Sequence, residues 1–330
     1  MDRSKFIALV TENPNFDFEF AALNLFRYQY KHNIVYQNWV DNLDVRIDDI
    51  NSLEKIPFLP ISAFKTHKLH CELKKQEQIF ESSGTTGLVP SKHYVFDPSL
   101  YLNVAKLIFE SIYGKVNSYC FLALLPSYLE RSGSSLVAMV DSFIAQSDYE
   151  ESGFYLYDHE ALYTKLQKCK KKGVPTILFG VSFALLDFNA AYSIDFPELI
   201  VIETGGMKGR KKEITRAELH HQISKGFGVA YIHSEYGMTE LFSQAYSQKD
   251  GVYSPGYTMK VLVKDATDPL ELLQHGKSGI VNIIDLANID SCAFIETQDL
   301  GRRYKDGSFE ILGRLDQSDI RGCNLMVSDV

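Results

Sequence analysis

Before Pro57 the apolar positions recur at three- and four-residue spacing, as at Phe18, Ala21, Ala22, Leu25 and Phe26, which predicts amphipathic helix. Pro57 and Pro60 break that pattern and predict a loop, so the N-terminal segment is expected to pack, as helices, on the main body. From Ser118 the period changes. Short apolar runs at 119–125, 176–179, 199–202 and 229–232 alternate with helix-length amphipathic stretches at 135–146, 159–171 and 212–225. Such alternation predicts βαβ units around a largely parallel sheet, an α/β fold. Beyond Gly251 the texture becomes strand-like runs at 260–263, 280–284, 293–296 and 309–312, separated by Gly and Asp turns. A β-rich closing lobe is expected there. With no internal repeat or low-complexity linker, residues 1–250 and 251–330 read as an α/β lobe and a β-rich lobe of one body.

Composition narrows the class. Hydrophobic residues are 45% and charged residues 23% of the chain, which excludes disordered and fibrous classes. A formal net charge of -8 leaves the chain as a whole without an electrostatic footprint for nucleic acid or an anionic membrane. The basic runs at 168–172 and 208–212 read as solvated helix ends or loops, the second closely following Gly205-Gly206. Cys71, Cys120, Cys169, Cys292 and Cys323 are scattered, odd in number and without CxxC spacing. Neither a disulfide framework nor a zinc site is expected, and a reducing cytoplasm is the natural compartment. Met1-Asp2-Arg3-Ser4-Lys5-Phe6 does not open a signal peptide, and no stretch reaches the ~20 apolar residues of a membrane span, so stable membrane insertion is not expected.

Two local motifs carry chemistry. In Glu81-Ser82-Ser83-Gly84-Thr85-Thr86-Gly87 the glycines let the backbone approach an anion and the hydroxyls offer donors to phosphate oxygens. A Gly-Lys-Ser/Thr ending is missing, so this is not a P-loop; a flexible polar turn is the alternative. The second motif, His233-Ser234-Glu235-Tyr236-Gly237-Met238-Thr239-Glu240, follows the apolar run 229–232, at the end of an expected strand where α/β sheets bind ligands. Tyr236 is suited to stack on a base, Thr239 to donate to a phosphate, and Glu240 to hold a Mg²⁺ that bridges phosphate oxygens. A helix N-terminus capped by Thr239 is the competing reading. The pair His220-His221 is not expected to bind metal, because adjacent helical residues face different ways.

Together these segments resemble the adenylate-forming superfamily of acyl-CoA synthetases, luciferases and related enzymes. Residues 82–87 are similar to its phosphate loop, Gly205-Gly206 to the loop lying against adenine, and Tyr236-Gly237-Met238-Thr239-Glu240 to its Tyr-Gly-x-Thr-Glu signature. Gly279-Ile280-Val281 resembles the strand preceding the ribose site, and Asp299-Leu300-Gly301 the segment whose Asp binds the ribose hydroxyls. Gly313-Arg314-Leu315-Asp316 resembles the hinge motif, which implies that Arg314 contacts the nucleotide. The resemblance implies the superfamily's large N-terminal domain, with ATP and Mg²⁺ as cofactors. There are two departures. The stretch Gly87-Leu88-Val89-Pro90-Ser91-Lys92 is longer than the usual Gly-x-Pro-Lys, and the sequence ends at Val330, so the mobile C-terminal domain is expected to be absent.

That shortened form is similar to acyl-protein synthetases of the LuxE type. The similarity extends to Phe26-Arg27-Tyr28-Gln29-Tyr30-Lys31-His32-Asn33 and Ile56-Pro57-Phe58-Leu59-Pro60-Ile61-Ser62-Ala63-Phe64-Lys65. Cys323 resembles their acyl-accepting cysteine, with Arg314 and Arg321 nearby in sequence to favour its thiolate; a buried small hydrophobe is the bland alternative. The resemblance implies activation of a fatty or other hydrophobic carboxylic acid as an acyl-adenylate. A thioester on Cys323 and transfer to a reductase or carrier-protein partner would follow. Leu124-Leu125-Pro126-Ser127-Tyr128 and Ser134-Ser135-Leu136-Val137 are candidates for the acyl pocket or for core. Two other readings stay open: a ligase that uses CoA or a carrier-protein thiol, and a catalytically silent nucleotide-binding scaffold.

Overall fold

A computed structural model describes residues 1–43, 45–71, 77–82, 89–125, 133–205, 214–266 and 271–315. The chain forms two compact units, Met1–Glu72 with Tyr257–Val330, and Leu73–Gly256.

The first unit begins with α1 (Arg3–Glu12), α2 (Phe18–His32) and α3 (Ile34–Asn42), followed by β1 (Leu59–Pro60) and α4 (Ala63–Thr66). The stripe Ala21, Ala22, Leu25 and Phe26 is buried, as its spacing predicts. Asn33 ends α2 and begins α3, its Oδ1 accepting from the backbone N–H groups of Val35 and Tyr36 at 3.1 Å each.

The second unit opens with a hairpin, β2 (Gln78–Glu81) and β3 (Lys92–Val95), followed by α5 (Pro98–Tyr113). The alternation then runs β4 (Cys120–Leu124), α6 (Ser135–Gln146), β5 (Gly153–Phe154), α7 (His159–Lys172), β6 (Thr176–Val181), α8 (Ser182–Ala191), β7 (Ile200–Thr204), α9 (Arg216–Phe227) and β8 (His233–Tyr236). It closes with β9 (Ala245–Ser247) and β10 (Val252–Pro255). Within this unit the strand order is β10-β9-β8-β7-β6-β4-β5, with β5, β4, β6, β7 and β8 parallel. Every position of β4 and β6 is buried, which is why they read as unbroken apolar runs. The order reverses at β4, with β5 on one side and β6, β7 and β8 on the other. Such a switch point favours a ligand crevice at the strands' carboxyl ends.

One strand differs from its sequence expectation. The apolar run 229–232 lies outside the sheet, and β8 is formed by the polar His233-Ser234-Glu235-Tyr236. Each polar side chain has a neighbour that makes burial tolerable: Tyr113 Oη is 3.1 Å from His233 Nδ1, His220 Nε2 is 3.4 Å from Ser234 Oγ, and Thr204 Oγ1 donates to Glu235 Oε2 at 2.6 Å.

The chain then returns to the first unit as β11 (Met259–Lys264), β12 (Ser278–Asp285), β13 (Phe294–Arg303) and β14 (Phe309–Arg314), antiparallel in that order. β1 lies parallel to β13, with Leu59 opposite Ile295. The N-terminal helices reinforce this pairing: Tyr36 Oη donates to the Pro57 carbonyl at 2.7 Å and Trp39 Nε1 to the Phe58 carbonyl at 2.9 Å. Gln29, fully buried on α2, donates to the carbonyls of Asn288 and Ile289 and accepts from the N–H of Ala293. Gln29→Leu strands those backbone groups without partners, and equilibrium unfolding should show a loss of about 3 kcal/mol. Among the described residues no helix is long and apolar enough to cross a membrane.

Candidate active site

Four segments of the second unit meet at the carboxyl side of its parallel strands or are tied to them. β7 ends at Thr204, and Gly205 follows with φ of 70°, a left-handed turn that suits glycine. Ser182, at the start of α8, lies 2.9 Å from Glu203 Oε2 and 2.5 Å from the Gly205 carbonyl, so the first turn of α8 holds the exit of β7. β8 ends at Tyr236, which is buried and packs its ring 5.7 Å from that of Tyr253. Gly237 is exposed, Thr239 is half-buried, and the Glu240 residue is 6% exposed. Thr239 and Glu240 form a turn, not the start of a helix, so the N-cap reading of Thr239 is not what the structure shows.

Glu235 underlies this segment. Burial pushes its carboxyl up to about 7, against the opposing effect of the Thr204 hydroxyl. A side chain at Gly237 would collide with Glu235 Oε1, which explains the glycine. On the opposite face, Glu203 Oε1 lies 3.6 Å from His220 Nε2, while His221 is exposed.

The hairpin brings in the base of the predicted phosphate loop. Ser82 Oγ accepts from the Ser91 N–H at 2.8 Å, and the Ser82 N–H donates to the Ser91 carbonyl at 3.1 Å. Lys92 faces Glu81 across the hairpin, Nζ to Oε1 3.5 Å. His93, next along β3, has Nδ1 2.9 Å from the carbonyl oxygen of Thr239 and its ring 5.0 Å from Phe242, linking the hairpin to the Tyr236–Glu240 segment. Ser83, Gly84, Thr85, Thr86, Gly87, Gly206 and Cys323 lie outside the described residues. Of the acyl-pocket candidates, Leu124 and Leu125 are fully buried, and Ser134 caps α6 by accepting from the Val137 N–H.

In the first unit Asp299 and Arg314 stand directly opposite each other on β13 and β14. Asp299 lies within an irregularity of the β12–β13 register, between the pairs Ile280–Leu300 and Asn282–Glu296. There Thr297 Oγ1 donates to the Val281 carbonyl at 2.7 Å and accepts from the Asp299 N–H at 3.0 Å. Gly301 fits because a Cβ there would meet Val281 and the Glu310 carbonyl, and Gly279 because one would meet the Lys264 carbonyl. Arg314 is exposed.

The family model for acyl-protein synthetase, LuxE, matches residues 135–330. The chain belongs to the LuxE family of acyl-protein synthetases. As a LuxE-family member it is an AMP-forming ligase that activates an acid by adenylation. It is 22% identical over 341 residues to the long-chain-fatty-acid–luciferin-component ligase of Aliivibrio fischeri, covering 92% of this chain and 86% of that one. Its fold is similar to an open conformation of 2-hydroxyisobutyryl-CoA ligase in complex with 2-HIB-AMP and CoA, with a TM-score of 0.67 and 12% identity over 93% of this chain and 79% of that one. ATP-bound MatB from Rhodopseudomonas palustris is also similar, with a TM-score of 0.53 and 19% identity over 72% of this chain and 47% of that one.

The motifs quoted from the sequence assign no role to Ser182, Glu203, Thr204, Glu235 or His93. Carboxylates next to apolar strand runs were the available signal, since a buried charge requires a partner.

Proposed function

We propose that this enzyme activates a fatty or other hydrophobic carboxylic acid with ATP, then carries the acyl group as a thioester on Cys323 to an acyl reductase or carrier-protein partner. The observation that carries the reading is the Tyr236–Glu240 segment at the carboxyl end of β8, with a largely buried carboxylate at Glu240. The relative's function with long-chain fatty acids supports this substrate class.

In the first step a carboxylate oxygen of the acid attacks the α-phosphorus of ATP, the bond to the β-phosphate oxygen breaks, and pyrophosphate leaves. The protein supplies no nucleophile, so its work is positioning and charge stabilisation. Residues 82–87 receive phosphate oxygens, Gly205-Gly206 and Tyr236-Gly237 border the base, and Thr239 donates to the α-phosphate. Asp299 and Arg314, paired across β13 and β14, are the residues that the superfamily resemblance assigns to the ribose hydroxyls and the nucleotide. A hard carboxylate oxygen suits Mg²⁺, so Glu240 is the residue that would hold it, and the ion would neutralise phosphate charge. In the second step the Cys323 thiolate attacks the acyl carbonyl, the bond to AMP breaks, and a thioester remains.

Acid-dependent exchange of labelled pyrophosphate into ATP tests the first step. Exchange is expected with hydrophobic acids of some chain length, and Cys323→Ser should leave it within about twofold of the parent, because the thiol enters only afterwards. No exchange with any acid in a broad panel would overturn the reading.

A further inference from the structure

We propose that the hydrogen bond from Thr204 to Glu235 is a brace that positions the two segments leaving β7 and β8, making Glu235 a positioning residue for ATP in the adenylation step. The inference rests on the reading of Tyr236–Glu240 as a nucleotide segment.

Thr204 is the last residue of β7 and Glu235 the next-to-last of β8, and the two stand opposite each other in parallel register. Their bond of 2.6 Å therefore ties the strands at the point where Gly205 and Gly237 lead away. Glu235 Oε1 also occupies the space that a side chain at Gly237 would need, so the carboxylate lies against the segment leaving β8. A bond to an ionised acceptor is stronger than a neutral one, which makes the brace tightest when Glu235 is a carboxylate.

The groups around Glu235 make its titration readable. Tyr101 on α5, Tyr246 on β9 and Tyr253 on β10 feel its charge, and burial pushes all three upward; His233, two residues before it, is driven down to about 4 by burial. Glu203 on β7 adds negative charge. Glu235, pushed up to about 7 mainly by burial, thus changes charge in a range where none of the tyrosines nor His233 does. The KM for ATP should rise as pH falls from 8 to 6 and the bond loses its charge.

The test is pyrophosphate exchange by the full chain, with KM for ATP and kcat measured from pH 6 to 8 for the parent, Thr204→Val, Thr204→Ser, Glu235→Gln and Glu240→Gln. Thr204→Val should raise KM for ATP about tenfold, with a much smaller change in kcat, and Thr204→Ser should restore it. Glu235→Gln keeps an acceptor without charge, so its KM should exceed the parent's at pH 8 and the two should converge toward pH 6. Titration of ATP itself is common to all of these proteins and cancels in the comparison. Unchanged KM and pH profile in both Thr204→Val and Glu235→Gln, alongside a large loss in Glu240→Gln, would overturn the brace alone. Undiminished exchange in Glu240→Gln would overturn the nucleotide reading and the brace with it.

Discussion

Glu240→Gln is expected to lower acid-dependent pyrophosphate exchange on the order of a thousandfold while the protein stays folded, the scale of losing one preorganised charge contact in a water-poor site. Glu240 is largely buried in a turn immediately after the segment that closes β8, and acidic residues are seldom buried to that extent. Gln preserves shape and one acceptor oxygen but removes the negative charge that attracts a hard cation. The Mg²⁺ concentration needed for half-maximal exchange should therefore rise in the variant, and chelation should abolish exchange in the parent. Exchange that survives Glu240→Gln at ordinary Mg²⁺ would remove Glu240 from the site.

The second large effect is on stability. Glu235 has an ordinary value of 4.5 that burial raises to about 7 in the folded chain, so the folded state holds the proton more tightly than the unfolded state. Its stabilising contribution is present below pH 4.5 and is lost as pH rises through about 7. Glu235→Gln has no such titration. From pH 4 to pH 8 the stability difference between variant and parent should move by roughly 3 kcal/mol in the variant's favour, which denaturant unfolding at the two pH values would read. A difference that stays constant across this range would show that Glu235 does not titrate as its surroundings dictate. A buried carboxylate that weakens the folded state at neutral pH is more readily understood at a functional position than in plain core.

The contrast between strands shows what the sequence made legible. β4 and β6 could be read directly because parallel strands covered on both faces are apolar throughout. β8 could not, because its polar residues are tolerable only through Tyr113, His220 and Thr204, partners distant in sequence. β1 was equally hidden: Leu59 and Pro60, in the stretch where prolines break the helical pattern, pair with β13 more than two hundred positions later. α8 is buried along most of its length, so it lacks the polar face that marks an amphipathic helix. Within the candidate site, the sequence exposed the residues proposed to face a nucleotide, since glycines, hydroxyls and carboxylates cluster in motifs. It did not expose the residues that hold them. Thr204 and His93 make hydrogen bonds to residues distant in sequence, for which no local pattern exists.

The most direct test of the account is the mass of the intact chain after incubation with ATP, Mg²⁺ and fatty acids of several lengths, with and without hydroxylamine. One acyl adduct is expected, labile to hydroxylamine, mapping to Cys323 and absent from Cys323→Ala. Pyrophosphate release without any adduct would contradict the covalent step and point to an external thiol as the acyl acceptor.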